Sequence, residues 1–444
     1  MKRIIALIII LLIPLLSIKA QPTGFTKLLD ENMKYVVDMI QTSSGNFIIV
    51  GTYITIESGI YVVSLNEEGE IIFKKYLDAK IRWYAGITQI SNGNILIPNN
   101  HYLLEINQSG DSVGCLAVSP SPESFFGSVI EMPDSSIIAT EIIINDDPFF
   151  PGVIDSYIQK FSPEGNFIGK FPSQFLDIKD ITPCSDSTFL ALVETYSSIN
   201  SHIVKYNLEG EIISTSSCTG MDPYLHKIKR INDNYFAAVG YKMNKKNMQA
   251  VFTKIDNTGQ IMFCDEYSNR YFPSFTKEES SEKLFILGNS SDQCYINTLD
   301  YSGNIISEYL VDNSLDGNNI IYSKDYLYIA GVYNYSEDPR SCFIKIHKDS
   351  ILSVNENQFY SKMEVYPNPA TSKFKIRCSA FDIHNCKIEI FDIFGIKVKE
   401  IKLPKGQTKA EVNVENWAKG LYLIKVGNGK NYFEIRKVII QSSL

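Results

Sequence analysis

From Val36 to Ser350 one phrase of apolar and polar positions keeps returning. It runs through a short apolar piece, a polar turn, an apolar strand often ending in glycine, a loop, a second strand, a glycine turn and a third strand. The first copy has Ser44-Gly45-Asn46, then Phe47–Gly51, Ile60–Leu65, and Gly69 ahead of Ile71–Phe73. Later copies place the first of these strands at Ile95–Ile97, Ser136–Ala139, Thr188–Leu192, Tyr235–Gly240, Leu284–Gly288 and Leu327–Gly331. In the seventh the closing turn decays to Lys348-Asp349-Ser350. The offsets are 48, 42, 52, 47, 48 and 43 residues, a mean near 47. Four short strands per repeat, seven times, predict an all-β chain whose residues 21–352 form a seven-bladed β-propeller. A blade packs both faces on its neighbours, so its strands read as apolar runs instead of alternating. Separate β-sandwiches would need units of about 100 residues, twice this period. The segment Phe25–Tyr35 is expected to lend a strand that closes the ring against the last blade.

The repeat stops at residues 353–362, which read as a linker, and the charge changes sign beyond it. Residues 363–444 carry 14 Lys and Arg against 8 Asp and Glu, or +6, whereas residues 21–362 carry 25 against 42, or −17. An acidic body argues against nucleic-acid binding, which needs basic groups on phosphates. Short strands at Lys373–Cys378, Cys386–Phe391, Gly395–Leu403, Lys409–Val414, Leu421–Val426 and Tyr432–Ile440 predict a small antiparallel sandwich over 363–444. With 44% hydrophobic and 21% charged residues among 444, the chain is neither disordered nor collagen-like. At the other end, Lys2 and Arg3 precede an apolar stretch, Ile4–Ile18, and a small residue at Ala20. That is a signal peptide over 1–20, too short for a spanning helix, with cleavage expected between Ala20 and Gln21. No later segment reaches spanning length, so the mature chain is expected to lack a transmembrane helix. Outside the cytosol cysteines are free to pair. Cys378 and Cys386 flank a turn and form the best candidate bridge, and the other six are expected as buried thiols.

Four stretches of the C-terminal region, in order, carry a resemblance. They are Tyr366-Pro367-Asn368-Pro369, the run from Ile390 through Asp392 and Gly395 to Val398, Gly420-Leu421-Tyr422 with its strand, and Lys437-Val438-Ile439-Ile440. Residues 363–444 thereby resemble the type A C-terminal sorting domain of the bacterial type IX secretion system. The resemblance implies an address read by an outer-membrane translocon and removal by a sortase-like peptidase, near residues 353–362. It also implies release or attachment at the cell surface, and a Bacteroidota source. Trp417 departs from the family's usual leucine. The resemblance is silent on the propeller, whose copies lack the signatures of a named propeller family.

Chemistry is sparse. The five histidines, 101, 202, 226, 347 and 384, are scattered, and no Cys-x-x-Cys, nucleophile elbow or phosphate loop occurs, so no cofactor is expected. Asp312, Ser314 and Asp316 with Gly317 resemble the opening of a calcium loop, but Ser323 stands where the closing carboxylate belongs, and a plain turn gives the same letters. Asn145-Asp146-Asp147 is a weaker acidic loop. Glu141 and Glu194 read as equivalent positions on neighbouring blades, a carboxylate pair of the kind a hydrolase or lyase would use. Ten residues before each aligned turn stand Tyr35, Trp83, Phe125, Asp177, Tyr224, Phe272 and Leu315. The five aromatics form a candidate ligand-binding ring on one face, or wedges between blades. The expected partner is an extracellular protein or glycan, bound without catalysis.

Overall fold

The computed structural model describes residues 24–53, 59–81, 85–118, 124–145, 152–195, 198–244, 247–268, 270–290, 293–333, 338–352, 362–379, 386–393, 395–403, 409–427 and 432–441. The expected signal segment, Trp83, Asp146, Asp147 and residues 353–361 of the expected linker lie outside them. The same holds for the side chains of Cys378 and Cys386. Among the described residues no helix is long and apolar enough to cross a membrane.

Seven four-stranded antiparallel sheets follow one another along the chain. Six take their strands in sequence order, and their first, innermost strands include Tyr35–Gln41, Thr88–Gln89, Ser124–Glu131, Asp177–Pro183, Tyr224–Arg230 and Phe275–Lys277. The seventh begins at Leu315–Ser323 and takes its fourth strand from the start of the chain. There Phe25–Leu28 pairs antiparallel with Arg340–His347, Phe25 opposite Lys345 and Leu28 opposite Cys342. The expected ring closure is therefore present. It is sealed by packing as well as hydrogen bonds, since the Phe47 ring of blade 1 lies 4.3 Å from Tyr328 and 5.1 Å from Phe343 of blade 7.

Strand position within a blade explains the sequence pattern. Second strands such as Phe47–Thr52 are buried along their whole length, whereas outer strands such as Ile71–Leu77 alternate. The turn glycines expected from the repeat, among them Gly69, Gly110 and Gly210, sit at φ near +80°, the region that favours glycine in tight hairpins. The glycine that often ends the second strand has another cause. A Cβ at Gly51, Gly240 or Gly331 would collide with the backbone carbonyl of Tyr35, Tyr224 or Asp316 on the adjoining inner strand. The degraded last turn forms a short helix, Lys348–Leu352.

Cysteine usage differs from expectation. Cys218 and Cys264 are joined in a disulfide, with Cα atoms 6.1 Å apart. They are 46 residues apart, one blade step, and so fall near matching outer edges of blades 4 and 5. Ser214 and Ser216 of blade 4 already donate hydrogen bonds to the carbonyls of Thr258 and Gly259 of blade 5. Cys184, Cys294 and Cys342 are buried free thiols, as expected, and Cys115 is free but exposed.

In the C-terminal region Lys362–Tyr366, Lys373–Ser379 and Lys409–Asn413 form one sheet. Lys397–Leu403, Cys386–Phe391, Gly420–Gly427 and Tyr432–Ile440 form the other, in that spatial order. Phe374, Ile376 and Val412 of the first pack with Ile388, Ile390, Tyr422, Ile424 and Val438 of the second in a single core, against which Trp417 leans. This is the small antiparallel sandwich predicted from the strand spacing. By contacts the chain divides into two compact units, one of residues 1–277, 286–294 and 312–352, the other of the remainder.

Candidate functional site

Every inner strand that the structure describes at length carries a bulge near its start. The register slips between Val36 and Asp38, Phe126 and Val129, Ile178 and Asp180, Leu225 and Lys227, and Gly317 and Asn319. A bulge re-aims the residues that flank it. Here it sends one polar side chain per blade toward the axis: Asp38, Ser128, Asp180, Lys227 and Asn319, with Ser274 of blade 6 joining them and Gly86 in the matching place in blade 2.

These residues bind one another. Asp38 accepts a hydrogen bond from the Ile87 amide at 2.9 Å and another from the Asn319 side-chain amide. Asp180 repeats the device, accepting from the Ile228 amide at 2.9 Å and from the Ser128 hydroxyl at 3.1 Å. Ser274 donates to the Asn319 side-chain oxygen at 3.2 Å. Lys227 reaches across the ring to both carboxylates, 3.7 Å from Asp38 and 4.0 Å from Asp180. Burial alone would push Lys227 down, but Asp180 and Asp38 outweigh it and hold its ammonium above the ordinary lysine range. Burial pushes the Asp180 carboxyl up, against the pull of Lys227. Lys229, two residues on, is lowered to about 8 by burial and by Lys227, and donates to the Phe275 carbonyl at 2.8 Å. The axis is thus filled by a cross-braced polar ring.

Three residues earlier on the same strands lies a second ring, at the mouth. Strand pairing sets Tyr35, Phe125, Asp177, Tyr224, Tyr271 and Asp316 in matching places, opposite Thr52, Ile142, Glu194, Tyr241, Asn289 and Val332. The sequence expectation differs here by one residue in blades 6 and 7. Phe272 has no exposed surface and packs 5.2 Å from Tyr267, and Leu315 is buried. Tyr271 and Asp316 take their places because the turn after the inner strand is one residue longer in blade 6, where the Glu278 amide bonds to the Lys283 carbonyl, and shorter in blade 7, where Ser323 pairs with Tyr326, so counting back from it misses by one. Tyr35, Phe125 and Tyr224 are half-buried.

Around blades 4 to 7 the mouth residues form a continuous row. Lys179 is held by Asp177 at 2.8 Å and Glu194 at 3.2 Å, with its ammonium 5.2 Å from the centre of the Tyr224 ring. Tyr224 lies 5.2 Å from Tyr241, which lies 6.4 Å from Tyr271. His226 sits 6.3 Å from both Tyr224 and Tyr241, and burial, with Lys227 and Lys179, lowers it to about 4, so it is neutral at pH 7. At the far end Tyr271 donates its hydroxyl to Asp316 Oδ1 at 2.5 Å, and the Asn289 amide donates to the same oxygen at 2.5 Å.

The remaining candidates separate. Glu141 and Glu194 are not equivalent, because pairing aligns Glu141 with Val193 and Glu194 with Ile142. With a side-chain period of two, that one-residue offset turns them to opposite faces of their blades. Glu141 is fully buried, bonded to Gln159 at 2.7 Å and Lys170 at 2.5 Å. The calcium-like loop also diverges. Asp312 accepts the Ser314 amide and hydroxyl at 2.8 and 2.9 Å, while Asp316 faces Tyr271 and Asn289. Among the described residues no group of three or more His, Cys, Asp or Glu is placed to hold a metal ion. A cleft of about 390 Å³ beside the closing strand is lined by Leu28, Asp30, Lys34, Tyr53 and Arg340 among others. Of its charges, Asp30 is engaged by Lys74 at 2.9 Å and Lys34 by Asp338 at 3.2 Å.

The sorting-motif residues build the sandwich. Asn368, between Pro367 and Pro369, accepts the Ile439 amide and donates to the Lys437 carbonyl, both at 2.9 Å, and so ties the start of the domain to its last strand. Asp392 closes its turn by accepting the Ile396 amide at 2.9 Å, with Gly395 at φ +78°. Tyr422 donates to the Ala418 carbonyl at 2.8 Å, just beyond Gly420.

Comparison with known proteins separates the two regions. Residues 364–441 match the family described as the secretion system C-terminal sorting domain. They form a type IX sorting domain, which directs the protein to the cell surface or to secretion. No curated protein matches the chain. Among solved structures the chain is similar to a virginiamycin B lyase from Staphylococcus aureus crystallised with quinupristin. The two are 16% identical at a TM-score of 0.50, over 73% of this chain and 100% of that one. It is also similar to Kuenenia stuttgartiensis hydrazine synthase, 10% identical at a TM-score of 0.54, over 74% and 98%. At such identities the likeness concerns the fold alone.

Proposed function

We propose that this is an exported binding protein, carried to the inner membrane by the signal segment 1–20 and across the outer membrane by its sorting domain. A sortase-like peptidase then cuts near residues 353–362, leaving the propeller attached to or released from the surface of a Bacteroidota cell. There its mouth, the ring of Tyr35, Phe125 and Tyr224 with Tyr271, binds an extracellular protein or glycan without chemistry. One observation carries the non-catalytic reading: every other carboxylate described around the mouth and the axis is held by a lysine, so Asp316 has no second free carboxyl to work with as an acid and base pair. Asp38 and Asp180 hold Lys227, Asp177 and Glu194 hold Lys179, and Glu141 holds Lys170. A general acid or base needs a carboxyl in reach of substrate with a proton to exchange, and ion pairs of this kind supply neither.

Two experiments test the proposal. Removal of residues 363–444 should trap the protein in the periplasm, and the mature form should begin at Gln21. Normal surface delivery of the truncated chain would overturn the route. Glycan and peptide arrays probed with the whole mature protein should give ligands whose binding falls in Tyr224→Ala. Arrays without a ligand, together with turnover of a screened glycan, would overturn the binding role.

A further inference from the structure

We propose that the Asp316 end of the mouth row is a subsite for an ammonium group, borne by a lysine of a polypeptide or by a free amine. This rests on the binding role proposed above and names the chemistry it serves.

The molecule contains its own example of the interaction. At the blade 4 end of the row an ammonium, that of Lys179, lies between the carboxylates of Asp177 and Glu194 and beside the face of Tyr224. Carboxylate and ring together are what such a cation needs once it leaves water. Two tyrosines further along, the same groups recur without a lysine. Tyr271 and Asn289 both donate to Asp316 Oδ1, which fixes the carboxylate beside the Tyr271 ring. Asn289 is itself pinned, donating to the Gly317 carbonyl at 2.8 Å and accepting its amide at 3.1 Å. Both donors act on one oxygen, and Oδ2 has no partner among the described residues.

Among the described residues no cation compensates the charge there. Burial pushes the Asp316 carboxyl up, opposed by the neutral Tyr271 hydroxyl, where Asp177 and Asp180 have lysines beside them. A neutral sugar would leave that charge unanswered, whereas an ammonium answers it, and an acidic body draws cations toward the mouth.

The test is calorimetric titration of the whole mature protein with hexalysine, with ε-acetylated hexalysine and with cadaverine. Hexalysine should bind and the acetylated peptide should not. Asp316→Asn, which keeps the shape, should weaken binding at least about tenfold, as should loss of ring and hydroxyl together in Tyr271→Ala. Asp111→Asn removes an exposed carboxylate elsewhere on the acidic body and should leave binding unchanged. Cadaverine binding as tightly as the peptide would assign a free amine, and peptide binding alone would assign a polypeptide. Equal loss in Asp111→Asn and Asp316→Asn, equal binding of the acetylated peptide, or no hexalysine binding would each overturn the subsite. An array ligand that binds Asp316→Asn normally would leave the recognition role standing and remove only the ammonium assignment. Circular dichroism of each variant separates lost binding from lost folding.

Discussion

Three residues separate the ring at the mouth from the ring on the axis, and the two use the same side-chain chemistry differently. On the axis Asp38 and Asp180 are 4% and 5% exposed, accept backbone amides from the next blade and share Lys227. At the mouth Asp316 is half-buried, fixed through one oxygen, and stands among tyrosines. The first arrangement brackets neighbouring blades together, and the second leaves one carboxylate oxygen without a partner among the described residues. Charge in this propeller serves cohesion where the protein occupies its lone pairs, and elsewhere is left for the recognition proposed above.

The largest expected effect comes from breaking the axial side of that contrast. Lys227→Met leaves two buried carboxylates without their cation and should cost about 3–5 kcal/mol in chemical denaturation. A loss under about 1 kcal/mol would mean that the ring does not brace the blades. The bridge behind blades 4 and 5 comes next. Replacing Cys218 and Cys264 by serine removes a 46-residue closure, worth about 2–4 kcal/mol on a chain-entropy view. The melting temperature should fall to that of the reduced wild type, while ligand binding at the mouth persists. At the junction of the two rings, Gly240→Ala drives a methyl into the Tyr224 carbonyl. It should cost about 1–3 kcal/mol and also weaken binding, since it shifts a mouth tyrosine.

A pH titration sharpens the comparison further. Lys229 titrates near 8 in the fold against 10.5 when free, so between those values the unfolded chain holds the extra proton. Stability should therefore climb with pH from about 8 to 10.5, and Lys229→Met should flatten the climb. Lys227 is shifted the other way, so its contribution stays intact across that window and is lost only above it. The smallest effect belongs to the mouth. Tyr271→Phe should cost about 1–2 kcal/mol, because it removes the hydrogen bond donated to Asp316 and the one accepted from Asn289.

Much of this architecture is legible in the chain. The repeat gives seven blades, the apolar runs give strands buried on both faces, and Phe25 to Leu28 supply the closing strand. The rings are less legible, for a physical reason. The repeat aligns on its turns, while side chains are aimed by strand register, and the turn is one residue longer in blade 6 and shorter in blade 7 than in the others. Phe272 and Leu315 therefore fall where Tyr271 and Asp316 belong. The axial ring has a signature in the sequence as well. Moving three residues on from the mouth ring gives Asp38, Gly86, Ser128, Asp180, Lys227, Ser274 and Asn319, small or polar in every copy. The disulfide has a similar signature, since the spacing of Cys218 and Cys264 matches the repeat.

The ring closure has a consequence for the order of assembly. Phe25 pairs with Lys345, so the first strand synthesised waits for nearly the last one of the propeller. Until His347 has emerged, the seventh blade lacks its edge and Phe47 of the first has neither Tyr328 nor Phe343 to cover it. A partly made propeller is an open arc with two unfinished ends. Completion is a single late event that joins the beginning of the chain to residues beside the sorting domain, so a propeller that has closed is one whose address has almost been reached.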